Sequence, residues 1–128
     1  MKVLLDTHAF LWALTNDQRL SRSARDFFTA STHELVFSVA SVWETLIKAK
    51  TGRLALPYPA GPFLKSELRR NSIALLPILL SHVLRLEKLP EHHRDPFDRI
   101  LLAQAIEEEL PILSADEKFR PYPVQVLW

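Results

Sequence analysis

Cysteine is absent from the 128 residues, and glycine occurs only twice. Without thiols there is no disulfide framework and no thiol nucleophile, and such a composition fits a reducing, cytoplasmic setting. With Gly52 and Gly61 alone, neither a G-x-G-x-x-G dinucleotide loop nor a Walker phosphate loop can be built. Long apolar runs are missing too. Val3-Leu4-Leu5 is cut at once by Asp6, too soon for a signal peptide or a membrane span. No G-x-S-x-G or H-E-x-x-H string occurs, and His92 and His93 adjoin each other without a second pair at zinc spacing.

What is present describes one globular domain spanning residues 1–128, since 48% of the chain is apolar. The net charge of +1 hides an asymmetry. Residues 1–70 carry ten Lys/Arg against six Asp/Glu, and residues 71–128 carry six against nine. A basic half beside an acidic half permits contact with nucleic acid.

The periodicity predicts short apolar strands at Lys2–Asp6, Glu34–Phe37, Ile73–Leu76, Pro111–Leu113 and Val124–Leu127. Between them it predicts helices from His8, Ser21, Ser38, Phe63, Ser81 and Pro96. In the helix after Ser38, the residues Val39, Val42, Trp43, Leu46 and Ile47 form an apolar stripe that should face the core, with Glu44 just beyond its edge. The helix from Pro96 is apolar nearly all round, so it should be buried centrally. Asp95 is its cap, Pro96 suits the first position, and Asp98 follows in the first turn. Strands alternating with helices imply a parallel sheet covered on both faces. Such sheets bind ligands beyond the carboxyl ends of their strands. Right-handed crossovers would bring Asp6, Glu44, Asp98 and Asp116 toward that edge.

Four converging carboxylates suit a hard divalent ion, Mg²⁺ or Mn²⁺, and hydrolysis of a phosphodiester. Each also has a local structural reading. Glu44 can pair with Lys48 at i, i+4, Asp98 can serve the helix dipole, and Asp116 can cap a turn. Asp6 has no such local role.

The strings Leu4-Leu5-Asp6-Thr7-His8, Ser38-Val39-Ala40-Ser41-Val42-Trp43-Glu44, His93-Arg94-Asp95-Pro96-Phe97-Asp98-Arg99 and Ile112-Leu113-Ser114-Ala115-Asp116 closely resemble the PIN domain. Within that family they look like the VapC-type ribonuclease toxins. The resemblance implies a three-layer α/β/α sandwich and a Mg²⁺- or Mn²⁺-dependent endoribonuclease. It also implies a small antitoxin protein and a homodimer as partners. Asp6, Glu44, Asp98 and Asp116 match the family's catalytic and metal-binding acids. Ser114 matches a hydroxyl position that is often Thr, and Thr7 follows the first acid. His93, Arg94 and Lys48 are candidates to touch RNA. Once the four acids are set aside, sixteen positive and eleven negative residues remain, an excess that suits an RNA partner. A receiver-like phosphoacceptor domain is the main rival, but Asp6 is followed by Thr7 and His8 and not by a second acid. A catalytically inactive module on the same fold is the other.

Overall fold

A computed structural model describes all of residues 1–128. Five short strands, β1 (Lys2–Leu5), β2 (Glu34–Ser38), β3 (Ala74–Leu76), β4 (Ile112–Leu113) and β5 (Val126–Leu127), form one parallel sheet in the order β3-β2-β1-β4-β5. Helices α1 (Thr7–Leu14), α2 (Arg22–Thr29), α3 (Val39–Lys50), α4 (Ala60–Arg70), α5 (Leu80–Arg85) and α6 (Pro96–Glu107) connect them. The three-layer α/β/α sandwich expected from the sequence is the one observed.

Alternation along β1 builds two cores. Val3 and Leu5 point to one face, where they meet Phe10 of α1, Ala24 of α2 and Leu64 and Leu68 of α4. Leu4 points to the other, where it meets Leu101, Leu102 and Ala105 of α6. Burial on both faces explains why the strands read as unbroken apolar runs. The chain builds outward from β1 through β2 to β3, then returns to β4 on β1's other side. The strand order therefore reverses between β1 and β4, and a crevice opens beyond their carboxyl ends. No helix is long and apolar enough to cross a membrane.

Several boundaries differ from the sequence expectation for identifiable reasons. Helix α4 starts at Ala60, because Pro62 falls in its first turn, where the missing N–H costs no bond. Helix α6 stops at Glu107, since Glu109 takes a left-handed φ of 53°. Helix α5 is short and passes into a 3₁₀ turn at Leu86–Lys88.

The main correction concerns α3. Its apolar stripe faces outward: Val39, Trp43, Leu46 and Ile47 are exposed, and Val42 is half-buried. The inward face carries Ala40, Ser41, Glu44 and Thr45. Helix α3 packs on α1, α4 and α6 at the edge of the sheet, so its inner face meets the polar crevice and not an apolar core.

Candidate active site

Asp6 follows β1 directly and stands at the N-cap position of α1, yet its carboxylate caps nothing. It is 4% exposed, and the bond it receives comes from the Ser114 hydroxyl, which donates to Oδ2 at 2.8 Å. Ser114 leaves β4 as Asp6 leaves β1, so this bond spans the reversal point of the sheet. Burial raises the Asp6 carboxyl above its ordinary value, outweighing the Ser114 hydrogen bond. The neighbouring Glu44 and Asp116 push in the same direction as burial.

Asp98 lies in the first turn of α6, whose N-cap Asp95 accepts the Asp98 N–H at 3.0 Å. The capping role expected for Asp95 is thus observed. No hydrogen-bond donor satisfies the Asp98 carboxyl. Burial, followed by the charges of Asp95, Asp6, Glu44 and Asp116, pushes it up to about 8. Three of those charges belong to the other expected site acids, Asp6, Glu44 and Asp116. Nevertheless, no three His, Asp or Glu side chains stand close enough to enclose an ion by themselves.

Glu44 and Asp116 are each tied to their own helix or turn as well. The Thr7 hydroxyl lies 2.8 Å from Glu44 Oε1 and 2.8 Å from the Ser41 hydroxyl. Lys48 Nζ lies 3.1 Å from Glu44 Oε2 and 3.4 Å from His8 Nε2. The i, i+4 ion pair read from the sequence therefore exists, but on a glutamate that is 9% exposed and turned inward. Asp116 accepts the Lys118 N–H at 2.9 Å, capping a 3₁₀ turn at Glu117–Phe119, while its own N–H donates to Ser114 Oγ at 3.0 Å. Each of these two acids has a structural task besides its place in the cluster.

His93, a candidate for RNA contact, has its ring turned inward against Phe119 and Tyr122. Its backbone N–H donates to the Tyr122 hydroxyl at 3.3 Å, and Nδ1 lies 2.8 Å from the same oxygen. Tyr122 can then donate to Nδ1, which leaves the ring proton on Nε2. That atom is buried without a hydrogen bond and sits 3.5 Å from Asp98 Oδ2. Burial lowers the His93 pKa, so the ring stays neutral and brings no charge to balance Asp98. Arg94 is exposed in the loop before α6.

Behind the acids runs a buried polar chain that the sequence did not reveal. Ser38, which caps α3, donates to Gln104 Oε1 at 2.5 Å. Gln104 Nε2 donates to the Pro77 carbonyl at 3.2 Å. His82, fully buried, accepts the Leu79 N–H at Nδ1 and therefore donates from Nε2 to Glu108, at 3.0 Å for each contact. Gln104 interrupts the apolar run from Ile100 to Ile106, and the position of Ser38 at the end of β2 gives it a task. Ser41, His8 and Tyr122 were likewise missed. His8 and Ser41 fall inside the quoted strings, so adjacency to Thr7 and Glu44 was the available signal.

The donor set is all oxygen, and two of its members, Asp6 and Asp98, lack a compensating cation. A hard divalent ion that keeps several waters and takes few protein ligands fits such a set.

The PIN domain family model matches residues 3–124. No curated protein matches the chain in sequence. Among solved structures, VapBC2 from Rickettsia felis bound to a promoter DNA fragment contains a chain with TM-score 0.74 and 12% identity, the match covering 99% of this chain and 98% of that one. A chain of DNA-bound VapBC from Salmonella typhimurium gives 0.73 and 14%, over 99% and 97%. A toxin–antitoxin complex from Klebsiella pneumoniae gives 0.68 and 17%, over 98% and 96%.

Proposed function

Because the chain belongs to the PIN domain family, we propose that it is a metal-dependent endoribonuclease of the VapC type, the toxin of a toxin–antitoxin pair. The observation that carries this reading is the pair Asp6 and Asp98, a buried and a half-buried carboxyl with raised pKa values and no Lys or Arg paired to either. Asp6 and Asp98 would hold Mg²⁺ or Mn²⁺, with Glu44 and Asp116 completing the shell, directly or through water. When bound, the ion activates water and neutralises charge on the phosphodiester.

The protein's own groups prepare that event. Ser114 fixes the rotamer of Asp6, and Thr7 with Lys48 fixes Glu44. His93 is held against Tyr122 and places its Nε2 3.5 Å from Asp98 Oδ2. The chain Ser38–Gln104 ties the cap of α3 to α6, so the helices carrying Glu44 and Asp98 keep a fixed spacing.

The complexes named above support a small antitoxin as partner. It would present a basic side chain to the acids, replacing the missing positive charge. The exposed apolar side chains of α3, together with Leu80, Val83 and Leu84 of α5, support a homodimer. In a two-fold dimer one such patch serves both copies.

The test is cleavage of single-stranded RNA by purified protein in Mg²⁺, Mn²⁺, Ca²⁺ or EDTA. The expected result is cleavage in the first two, little in Ca²⁺, whose larger shell positions water poorly, and none in EDTA. Undiminished cleavage in EDTA would overturn the metal mechanism. Intact RNA under all conditions would favour an inactive binding module. Expression alone should slow growth, and co-expression with a small protein encoded beside it should restore it.

A further inference from the structure

A second cleft, of about 570 Å³, opens beside the acids between α1, α3 and the loop after α3. Lys48 links the two, since it touches Glu44 on one side and His8 on the other. The polar lining carries Lys48, Arg53 and Arg19 against one carboxylate, Asp17. The Arg53 guanidinium is exposed and has no hydrogen bond or ion pair.

One wall of this cleft is lined by ring and guanidinium planes. His8 lies against Trp12 with ring centroids 5.9 Å apart. The Arg19 guanidinium sits over the Trp12 ring at 4.6 Å and is gripped by Asp17 through two bonds, of 3.1 and 2.8 Å. Those bonds hold the Asp17 carboxyl down at about 2. Arg19 is nevertheless 67% exposed, so the guanidinium plane is both immobilised and accessible. An Arg plane held on an aromatic ring is a surface on which unpaired bases stack, and free cations between such surfaces meet phosphates.

We propose that this cleft is the track for the single-stranded RNA on one side of the cut bond, with Lys48 and Arg53 on phosphates and His8 and Arg19 under bases. The inference rests on the nuclease reading for the position of the cut bond, but not for the binding itself. A peptide would need acidic and aromatic side chains in the right alternation to use both the cations and the planes, whereas every nucleotide carries a phosphate and a base.

The test is equilibrium binding of a short, labelled, mixed-sequence single-stranded oligoribonucleotide, in an Asp98→Asn background that leaves the probe uncut, across a salt series. Arg53→Ala should weaken binding about three- to tenfold and flatten the plot of log affinity against log salt by about 0.7, one lost phosphate contact. Arg19→Lys keeps the charge and loses the plane, so affinity should fall with the slope unchanged. Lys65→Ala, a cation on the remote α4, should bind as the parent does. Unchanged affinity and slope in both Arg53→Ala and Arg19→Lys would overturn the track, as would a parent protein that binds no RNA. If wild type cuts RNA while these variants bind normally, the track fails and the nuclease stands. If wild type cuts nothing while the variants weaken binding as stated, the track stands and the nuclease reading fails.

Discussion

Helices α3 and α6 pack on each other, and each brings an acid to the crevice, yet their sequences relate to the fold in opposite ways. Helix α6 is apolar nearly all round along its middle, and that part is buried, with Leu101, Leu102, Ala103, Gln104 and Ala105 all inside. Helix α3 is amphipathic, and its apolar stripe points away from the protein. The difference teaches what an apolar stripe means. Periodicity reports that one face of a helix is to be covered, not that the same chain covers it. In α3 the polar face meets Thr7, and the apolar face is left exposed.

Truncations at matched positions give the largest contrast. Leu102→Ala in α6 removes a fully buried side chain and should cost about 2–5 kcal/mol in denaturant unfolding. Leu46→Ala in α3 should change the stability of the isolated protomer by less than about 0.5 kcal/mol. An equal loss at both positions would mean that the α3 stripe is part of this chain's own core.

Next in size are the acids. Asp6→Asn or Asp98→Asn should lower the rate of RNA cleavage by at least about a hundredfold, because each removes a ligand oxygen charge. Asp95→Asn should cost little, since Asn caps a helix nearly as well as Asp. Gln104→Leu should act on stability and not on the metal. It strands the Ser38 hydroxyl and the Pro77 carbonyl, a loss of about 1–3 kcal/mol by thermal or denaturant unfolding. The smallest expected effect on stability is that of Leu46→Glu. It should leave the protomer folded but shift the proposed dimer to monomer in light scattering.

Much of this architecture was legible in the residues. The strand runs at Val3-Leu4-Leu5 and Ile112-Leu113, the caps Ser21 and Asp95, and the isolation of Asp6 from any local role all pointed to the observed sheet and crevice. What was not legible depends on who covers whom. The direction of α3, the inward turn of His93 toward Tyr122, and the link of Lys48 to His8 are set by contacts between residues far apart in the chain. Among the prolines at 57, 59 and 62, the last lies in the first turn of α4, where a sequence read for breaks does not look for a helix.

The central claim is that Asp98 is a carboxylate destabilised by its surroundings until a divalent ion arrives. Its pKa rises from 3.8 to about 8 on folding. Below the lower value it is protonated in both states and carries no penalty. Between the two values the unfolded chain releases its proton and the folded protein keeps it, so metal-free stability falls as pH rises through this window and then levels off. The most direct measurement is thermal melting of wild type and Asp98→Asn at pH 8, each in EDTA and in Mg²⁺. Asp98→Asn should melt higher than wild type in EDTA. Wild type should gain about 1–3 kcal/mol at tens to a hundred times the dissociation constant of Mg²⁺, and the variant less. A variant that melts lower than wild type in EDTA and responds to Mg²⁺ to the same extent would contradict the claim, reducing Asp98 to a helix-dipole residue.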